Sequence, residues 1–430
     1  MSGSANIEKI RAREVLNYRG NPTVEAEVYL TDGSCGHGAV AAGISAGINE
    51  VGALLDGDQK RFAGRGTLKA VENVRKMITP AITGMDACDQ TAVDNKMLEL
   101  DGTPNKANLG GNAVLAVSLA VAEAAAASRG IPLYRHLWGD VPFWLPVPAY
   151  DMLCGGSHSE EGGVDLQEYL IVPAGVETFG QAVQAGFDVY RTMITLLKEK
   201  GHRVNQWGGP VSPTLSSNKE GMDIVSEAIE KAGYKLGEEV FIGLDAAMSE
   251  LYKDGKYHLS SEGRSLTAEE MADMWEEWIE EYPLVTIEDG MAEEDWDGWK
   301  HLTSRIGDKV QLVGDDLFTT NPGRIRRGID EGAANAVLIK PNQIGTVSEA
   351  METMKLADEA GWSTMPSERS GEAEDTLICD LAMTGCSGQI KTGPPSEQSV
   401  IKYNRYLRIE EDLGDKAQYA GKKAFRTWTK

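Results

Sequence analysis

Five charged residues of the chain stand at places where chemistry can be done. Asp245 ends the apolar part of VFIGLDAAMSE, Glu288 that of LVTIEDG, Asp315 that of VQLVGDD and Lys340 that of NAVLIKPNQ, while Lys391 lies in GCSGQIKTG. Each run is short, apolar and β-rich and precedes a helix-like segment, as a buried parallel strand does. Glu288, Asp315 and Lys340 follow one another at about 25 to 27 residues, close to the roughly 30 of one βα unit in a barrel of about 250 residues. Parallel strands bring their C-terminal ends to one face, so these acids are expected to converge. Carboxylates that meet repel and raise one another's pKa unless a cation joins them. A hard divalent ion meets that need, and Mg²⁺ suits a site of few carboxylates completed by water and substrate oxygens. A single acid at a strand end also serves as a helix N-cap, but acids in successive units beside a lysine read better as a site.

Further candidates flank this stretch. His158 sits in the glycine-rich CGGSHSEEGG, and Gln167 and Glu168 open the strand-like LQEYLIVP. Glu368, Arg369 and Ser370 stand together in MPSERSGEAEDT, where adjacent Arg and Ser suit a phosphate or carboxylate.

The elements that must position these groups are legible in outline. Residues 7–30 read as two strands around Gly20-Asn21-Pro22, followed by a flexible glycine-rich loop over residues 41–47. From Thr67 to Gly130 the pattern is helical, and NAVLAVSLAVAEAAAASRG stops at a glycine C-cap. The proline-rich GDVPFWLPVPAYDML marks a boundary, giving a smaller α+β domain at 1–140 and an α/β barrel at 141–430. Beyond it, residues 181–200 predict an amphipathic helix. Thr267 and Glu270 form a capping box for a helix whose Met271, Trp275, Trp278 and Tyr282 make an apolar stripe for the core.

Composition narrows the function classes. With 42 basic and 66 acidic residues the formal net charge is −24, which opposes nucleic acid or an anionic membrane as a partner. A hydrophobic share of 41% and a charged share of 25% describe an ordinary globular chain, and its 430 residues point to two domains. Five scattered cysteines without a CxxC pair predict reduced thiols and a cytoplasmic location. The start MSGSANIEKIRARE has no apolar core, so neither a secretory leader nor a membrane span is expected.

In order along the chain, RGNPTVEAEV, GGSH, LQEYLIVP, IGLDAAMSE, IEDG, VGDDL, LIKPNQIGT, ERSGEAEDT, GQIKTG and KYNRYLRIEEDLG resemble the motifs of the enolase family. The resemblance spans nearly the whole chain and implies an enolase-type α/β barrel, its first units departing from all-parallel order, behind a small α+β domain. It further implies Asp245, Glu288 and Asp315 as Mg²⁺ ligands, and Lys340 as the base that removes the proton α to a carboxylate, with Lys391 beside it. Arg369 and Ser370 match contacts to the substrate phosphate; His158, Gln167 and Glu168 match the mobile loop and the substrate-facing pair. Removing such a proton creates an enediolate, which needs a cation and a lysine whose pKa nearby positive charge has lowered.

Three departures stand at the same site, the first being Ala42, which has no side-chain oxygen to offer where the family has a serine that ligates a second Mg²⁺. The loop VNQWGGP carries Gln206-Trp207 where the family has an Asp-Glu pair whose glutamate is the acid for expelling hydroxide, and Glu368 replaces a histidine on the phosphate side. Indole cannot deliver that proton. The chain is therefore similar to divergent enolase homologues of phosphonate pathways, the carboxyphosphonoenolpyruvate synthase type, with Trp207 stacked on a nucleotide leaving group. Dehydration of 2-phosphoglycerate with a substituted acid, and a non-catalytic binding protein, are the alternatives. The resemblance also implies a homo-oligomer, although PPSEQSVIKYN lacks the family's arginines before KYN.

Overall fold

The computed structural model describes residues 5–43, 47–158, 163–204, 209–384 and 387–428. Alternating apolar and polar side chains build an antiparallel sheet from β1 (Ile7–Leu16), β2 (Pro22–Leu30) and β3 (Cys35–Ala39). The helix Gly111–Arg129 lies across β2 and β3. It can approach so closely because β3 carries glycines: a Cβ at Gly36 would come within 2.1 Å of the Ala124 backbone nitrogen. Gly130 ends this helix in the left-handed region at φ 63°. By length and composition the helix could cross a membrane, yet 83% of its apolar window is buried inside the fold, as in a core helix.

The barrel strands are β4 (Val147–Cys154), β5 (Glu168–Val172) and β6 (Phe241–Asp245). A small antiparallel sheet of β7 (Tyr252–Lys253), β8 (Lys256–Leu259) and β9 (Arg264–Leu266) follows. The barrel resumes with β10 (Leu284–Glu288), β11 (Gln311–Gly314), β12 (Ala336–Ile339), β13 (Ser363–Pro366) and β14 (Gln389–Thr392). Their order around the sheet is β13-β12-β11-β10-β6-β5-β4-β14, and a bridge between Ser367 and Lys391 brings the two ends together, so the barrel nearly closes. β5 is antiparallel to both β4 and β6, whereas the other paired strands are parallel.

Helices cover the outside. Thr178 with Gln181, and Thr267 with Glu270, form capping boxes, and the stripe of Met271, Trp275, Trp278 and Tyr282 is buried as its spacing predicts. Inside, Val147, Ala149, Leu170, Val172, Val285 and Leu338 fill the lower barrel against Phe425 of the C-terminal segment. With the two-residue period of a strand, the inner face of β4 continues from Val147 and Ala149 to Asp151, and that of β5 runs from Val172 back to Glu168. Polar residues thus replace apolar ones toward one end of the barrel.

Candidate active site

That end is a cleft of about 680 Å³. Asp245 and Glu288 face each other across the β6–β10 pairing, and Asp315 follows directly on β11. Lys340 is the N-cap residue after β12, and Lys391 lies within β14. Glu168 stands at the start of its strand rather than the end, but because β5 runs in reverse it pairs with Asp245 and joins the same rim. A rule that looks only at the C-terminal ends of parallel strands would not place it there.

The two lysines divide the carboxylates between them. Lys391 Nζ lies 2.8 Å from Glu168 Oε2, 2.7 Å from Asp245 Oδ2 and 2.6 Å from Glu288 Oε2. Lys340 pairs with Asp315 Oδ2, while Gln343 Nε2 donates to Asp315 Oδ1 at 2.8 Å. Burial alone would lower the pKa of Lys391, but Asp245, Glu168 and Glu288 outweigh it and hold the ammonium well above its ordinary range. Lys340 is likewise raised, burial being outweighed by Asp315. The expected lowering of Lys340 is therefore not what the protein's own groups produce. Arg369 and Lys391 do act in that direction, but Asp315 lies closer and prevails.

Glu168 is also held by His158, whose Nδ1 is 3.1 Å from Oε1. Desolvation would raise this carboxyl, yet Lys391 and His158 keep it well below the usual carboxylate range. Gln167 Nε2 donates to Asp245 Oδ2 at 3.3 Å and its Oε1 accepts from Ser157. His158, Gln167 and Glu168 are thus brought to the center of the cleft.

The anion end is built differently. Arg369 faces Glu50 of the small domain, with Nη1 3.2 Å from Oε2 and Nη2 3.3 Å from Oε1, and Nη1 also donates to Asn342 Oδ1 at 3.2 Å. The carbonyl of Ser370 accepts from Arg19 Nε at 2.7 Å. Glu368 Oε1 accepts from the Gly393 N–H at 2.6 Å and the Ser399 hydroxyl at 2.8 Å. Its buried Oε2 finds no hydrogen-bond partner among the described residues. Desolvation, only partly offset by Lys402, pushes the Glu368 carboxyl up to about 7. Trp207 lies outside the described residues.

The acids suit a hard cation. Glu288 Oε1 is buried with no partner among the described residues, and its carboxyl is pushed well above its ordinary pKa by desolvation and by Asp245. A cation at that oxygen would relieve both. Among the described residues, the acidic group whose oxygens already lie within 4.8 Å of one another is Asp289, Asp315 and Asp316. It shares only Asp315 with the expected set; Asp245 and Glu288 are both paired to the Lys391 ammonium. Asp289 has a structural task there too: its two oxygens accept the N–H groups of Asp315 and Asp316 at 3.0 and 2.9 Å.

Sequence reasoning passed over Glu50, Asp151 and Gln343, and it noted Asp289 and Asp316 at the ends of their runs without giving them a role; all five lie at or around this cleft. Asp289 and Asp316 adjoin assigned acids, so IEDG and VGDD carried the signal. Glu50 comes from another domain and Gln343 from the short helix after β12, and neither has a local pattern.

A carboxylate–lysine cleft at the mouth of a nearly closed α/β barrel, capped by a small α+β domain, defines an enzyme class. A family model for the enolase C-terminal TIM barrel domain matches residues 142–428. One for the enolase N-terminal domain matches residues 7–137. The chain belongs to the enolase family.

Proposed function

We propose that the protein acts on a phosphorylated or phosphonylated three-carbon acid, specifically as a carboxyphosphonoenolpyruvate synthase. One observation carries this reading: the lysine–carboxylate half of the cleft is complete, while its anion end is rebuilt around a Glu368 carboxyl and an Arg369 already faced by Glu50. In this proposal Asp245, Glu288 and Asp315 hold Mg²⁺, which supplies positive charge to the substrate carboxylate when bound. Lys340 can act as a base only as the free amine, a form open to it once Asp315, which keeps it protonated, no longer pairs with it; in that form it takes a proton from the carbon next to the carbonyl of a three-carbon keto acid. Lys391 keeps Glu168, Asp245 and Glu288 in place and adds positive charge beside the developing enolate. The enol oxygen then attacks the phosphorus of a nucleotide-activated phosphonoformate: a P–O bond forms, the P–O bond to the nucleotide breaks, and the nucleotide leaves with the electron pair. No hydroxide leaves, so the acid replaced by Trp207 is not needed; Trp207 is proposed to stack on the departing base. Arg369, Ser370, Gln167 and Glu368 bind the substrates, Glu168 and His158 support the lysine, and a cytoplasmic homo-oligomer belongs to the same proposal.

Dehydration of 2-phosphoglycerate is the second reading, favoured by Glu368, whose carboxyl near neutrality is the better proton donor. Glu168, kept ionised by Lys391 and His158, is the poorer one. The test follows purified protein with Mg²⁺ and 2-phosphoglycerate by ultraviolet absorbance, with α-proton exchange monitored in D₂O. A parallel reaction of activated phosphonoformate with pyruvate or phosphoenolpyruvate is followed by ³¹P NMR. Phosphonoformyl transfer without dehydration is expected; phosphoenolpyruvate formation at an ordinary enolase rate would give the case to the second reading.

A further inference from the structure

Asp151 lines the same cleft from the inner face of β4, and the chemistry above leaves it unused. It is 7% exposed, and its Oδ1 is buried without a hydrogen-bond partner among the described residues. The groups whose charge reaches it are Glu168 from β5, Asp245 from β6, Lys391 from β14 and Glu368 after β13. Cys154 on its own strand and Tyr190 from the helix Phe179–Glu199 feel its charge in turn. Lys391 is the one cation in that set, and Glu168, Asp245 and Glu288 already surround its ammonium. An ionised Asp151 would be a buried charge among like charges, the arrangement proteins avoid by keeping the proton. Burial and Glu168 both push this carboxyl well above its ordinary range. Glu368, after β13 and separated from β4 only by β14, repeats the pattern on the same wall, with one oxygen satisfied by Gly393 and Ser399 and the other open.

We propose that Asp151 is a specificity-determining residue which, with Glu368, presents a neutral carboxyl O–H to an oxyanion of the bound substrate. This deepens the reading of the cleft as a site for a phosphorylated or phosphonylated acid and rests on it. A carboxylic acid donates one strong hydrogen bond to an anionic oxygen without adding charge, so this wall holds a phosphate, phosphonate or carboxylate where Arg369 is already matched by Glu50.

Phosphoenolpyruvate with saturating Mg²⁺ is the probe, since both readings of the function place it or its close kin in the cleft. Calorimetric titration compares the wild type with Asp151→Asn, which keeps an N–H donor, and Asp151→Ala, which has none. Asp151→Ala should bind about tenfold more weakly and Asp151→Asn within about threefold of the wild type, the worth of one hydrogen bond to a charged group. Isotope-edited infrared spectra of aspartate-labelled protein should show a carboxylic-acid band that Asp151→Asn lacks and that shifts when phosphoenolpyruvate binds. Equal affinity of Asp151→Ala and wild type overturns the proposal while leaving the functional reading standing; no wild-type affinity for phosphoenolpyruvate overturns the proposal, and the turnover assays described above then judge the functional reading separately. If Asp151→Ala does not fold, the infrared comparison decides, and an acid band identical in wild type and Asp151→Asn ends the proposal.

Discussion

In the proposed reading the cleft transfers a proton, and the way its two ammonium groups pair with the carboxylates points to the lysine that carries it. Lys391 is engaged by three carboxylates at 2.6–2.8 Å, whereas Lys340 shares only Asp315 with Gln343 and has the simpler task of leaving it. Lys340→Ala should therefore abolish α-proton exchange in D₂O, a loss of about 10² to 10⁴ in rate or more. Exchange that survives would remove Lys340 as the base. Glu368 allows a prediction that needs no substrate. Its carboxyl is raised from 4.5 to about 7, so the folded state binds this proton more tightly than the unfolded chain. The stability this contributes is present below about pH 4.5 and is lost as pH rises through 7. Glu368→Gln, which keeps an acceptor for Gly393 and Ser399, should melt higher than wild type at pH 8, by up to about 3 kcal/mol, with the gap closing at pH 5. Thermal melts at both pH values check this, and a gap independent of pH would contradict it.

At the scale of elements, the position of Glu168 depends on how β5 is held. Gly221, in the helix Asn218–Lys231, lies under the ring of Tyr169, and a Cβ there would come within 2.6 Å of the ring carbons. Tyr169 adjoins Glu168, and its hydroxyl donates to the Asn218 carbonyl at 3.0 Å. Alanine in place of a helical glycine ordinarily stabilises by about 0.5–1 kcal/mol. Here the contact reverses the sign: Gly221→Ala should destabilise by about 1–3 kcal/mol and reduce turnover by shifting β5. Urea unfolding together with kinetics tests it, and a more stable, fully active variant would show that the ring yields freely. This region also marks where sequence reading stops. The strands that end in or just before Asp245, Glu288, Asp315 and Lys340 were legible because a continuous apolar run closing on a charge is a local pattern. The place of Asp151 was not, since PVPAYDML reads as a proline-rich boundary until β4 pairs with β14 and turns alternate residues inward. Glu50 reaches Arg369 from 319 positions away, a contact that no local pattern announces.

At the scale of the molecule, the small domain is fastened to the barrel by polar contacts as well as by its core helix. The helix Val347–Glu359 of the barrel starts against the small domain: the Ser348 N–H donates to Asp94 Oδ2 and the Val347 N–H to Ser118 Oγ, both at 3.0 Å. Lys106 Nζ lies 3.1 Å from Glu349 Oε1 on that helix, with the lysine side chain 2% exposed and the glutamate 22%. This asymmetry makes a prediction. Glu349→Ala leaves a buried ammonium without its counter-charge and should cost about 3–5 kcal/mol, the loss typical of a broken buried pair. Lys106→Met keeps the bulk of the side chain and leaves behind a carboxylate that water reaches and the Thr346 hydroxyl still contacts, so it should cost less than half as much. Equilibrium denaturation of both variants and of the double variant measures the difference. If the two single losses are equal, the pair behaves like an exposed salt bridge, and the hold between the domains lies in the apolar packing of the helix Gly111–Arg129. If the expected asymmetry appears, a site assembled from Glu50 of one domain and Arg369 of the other is held in register partly by a buried charge that tolerates no loosening of the domains.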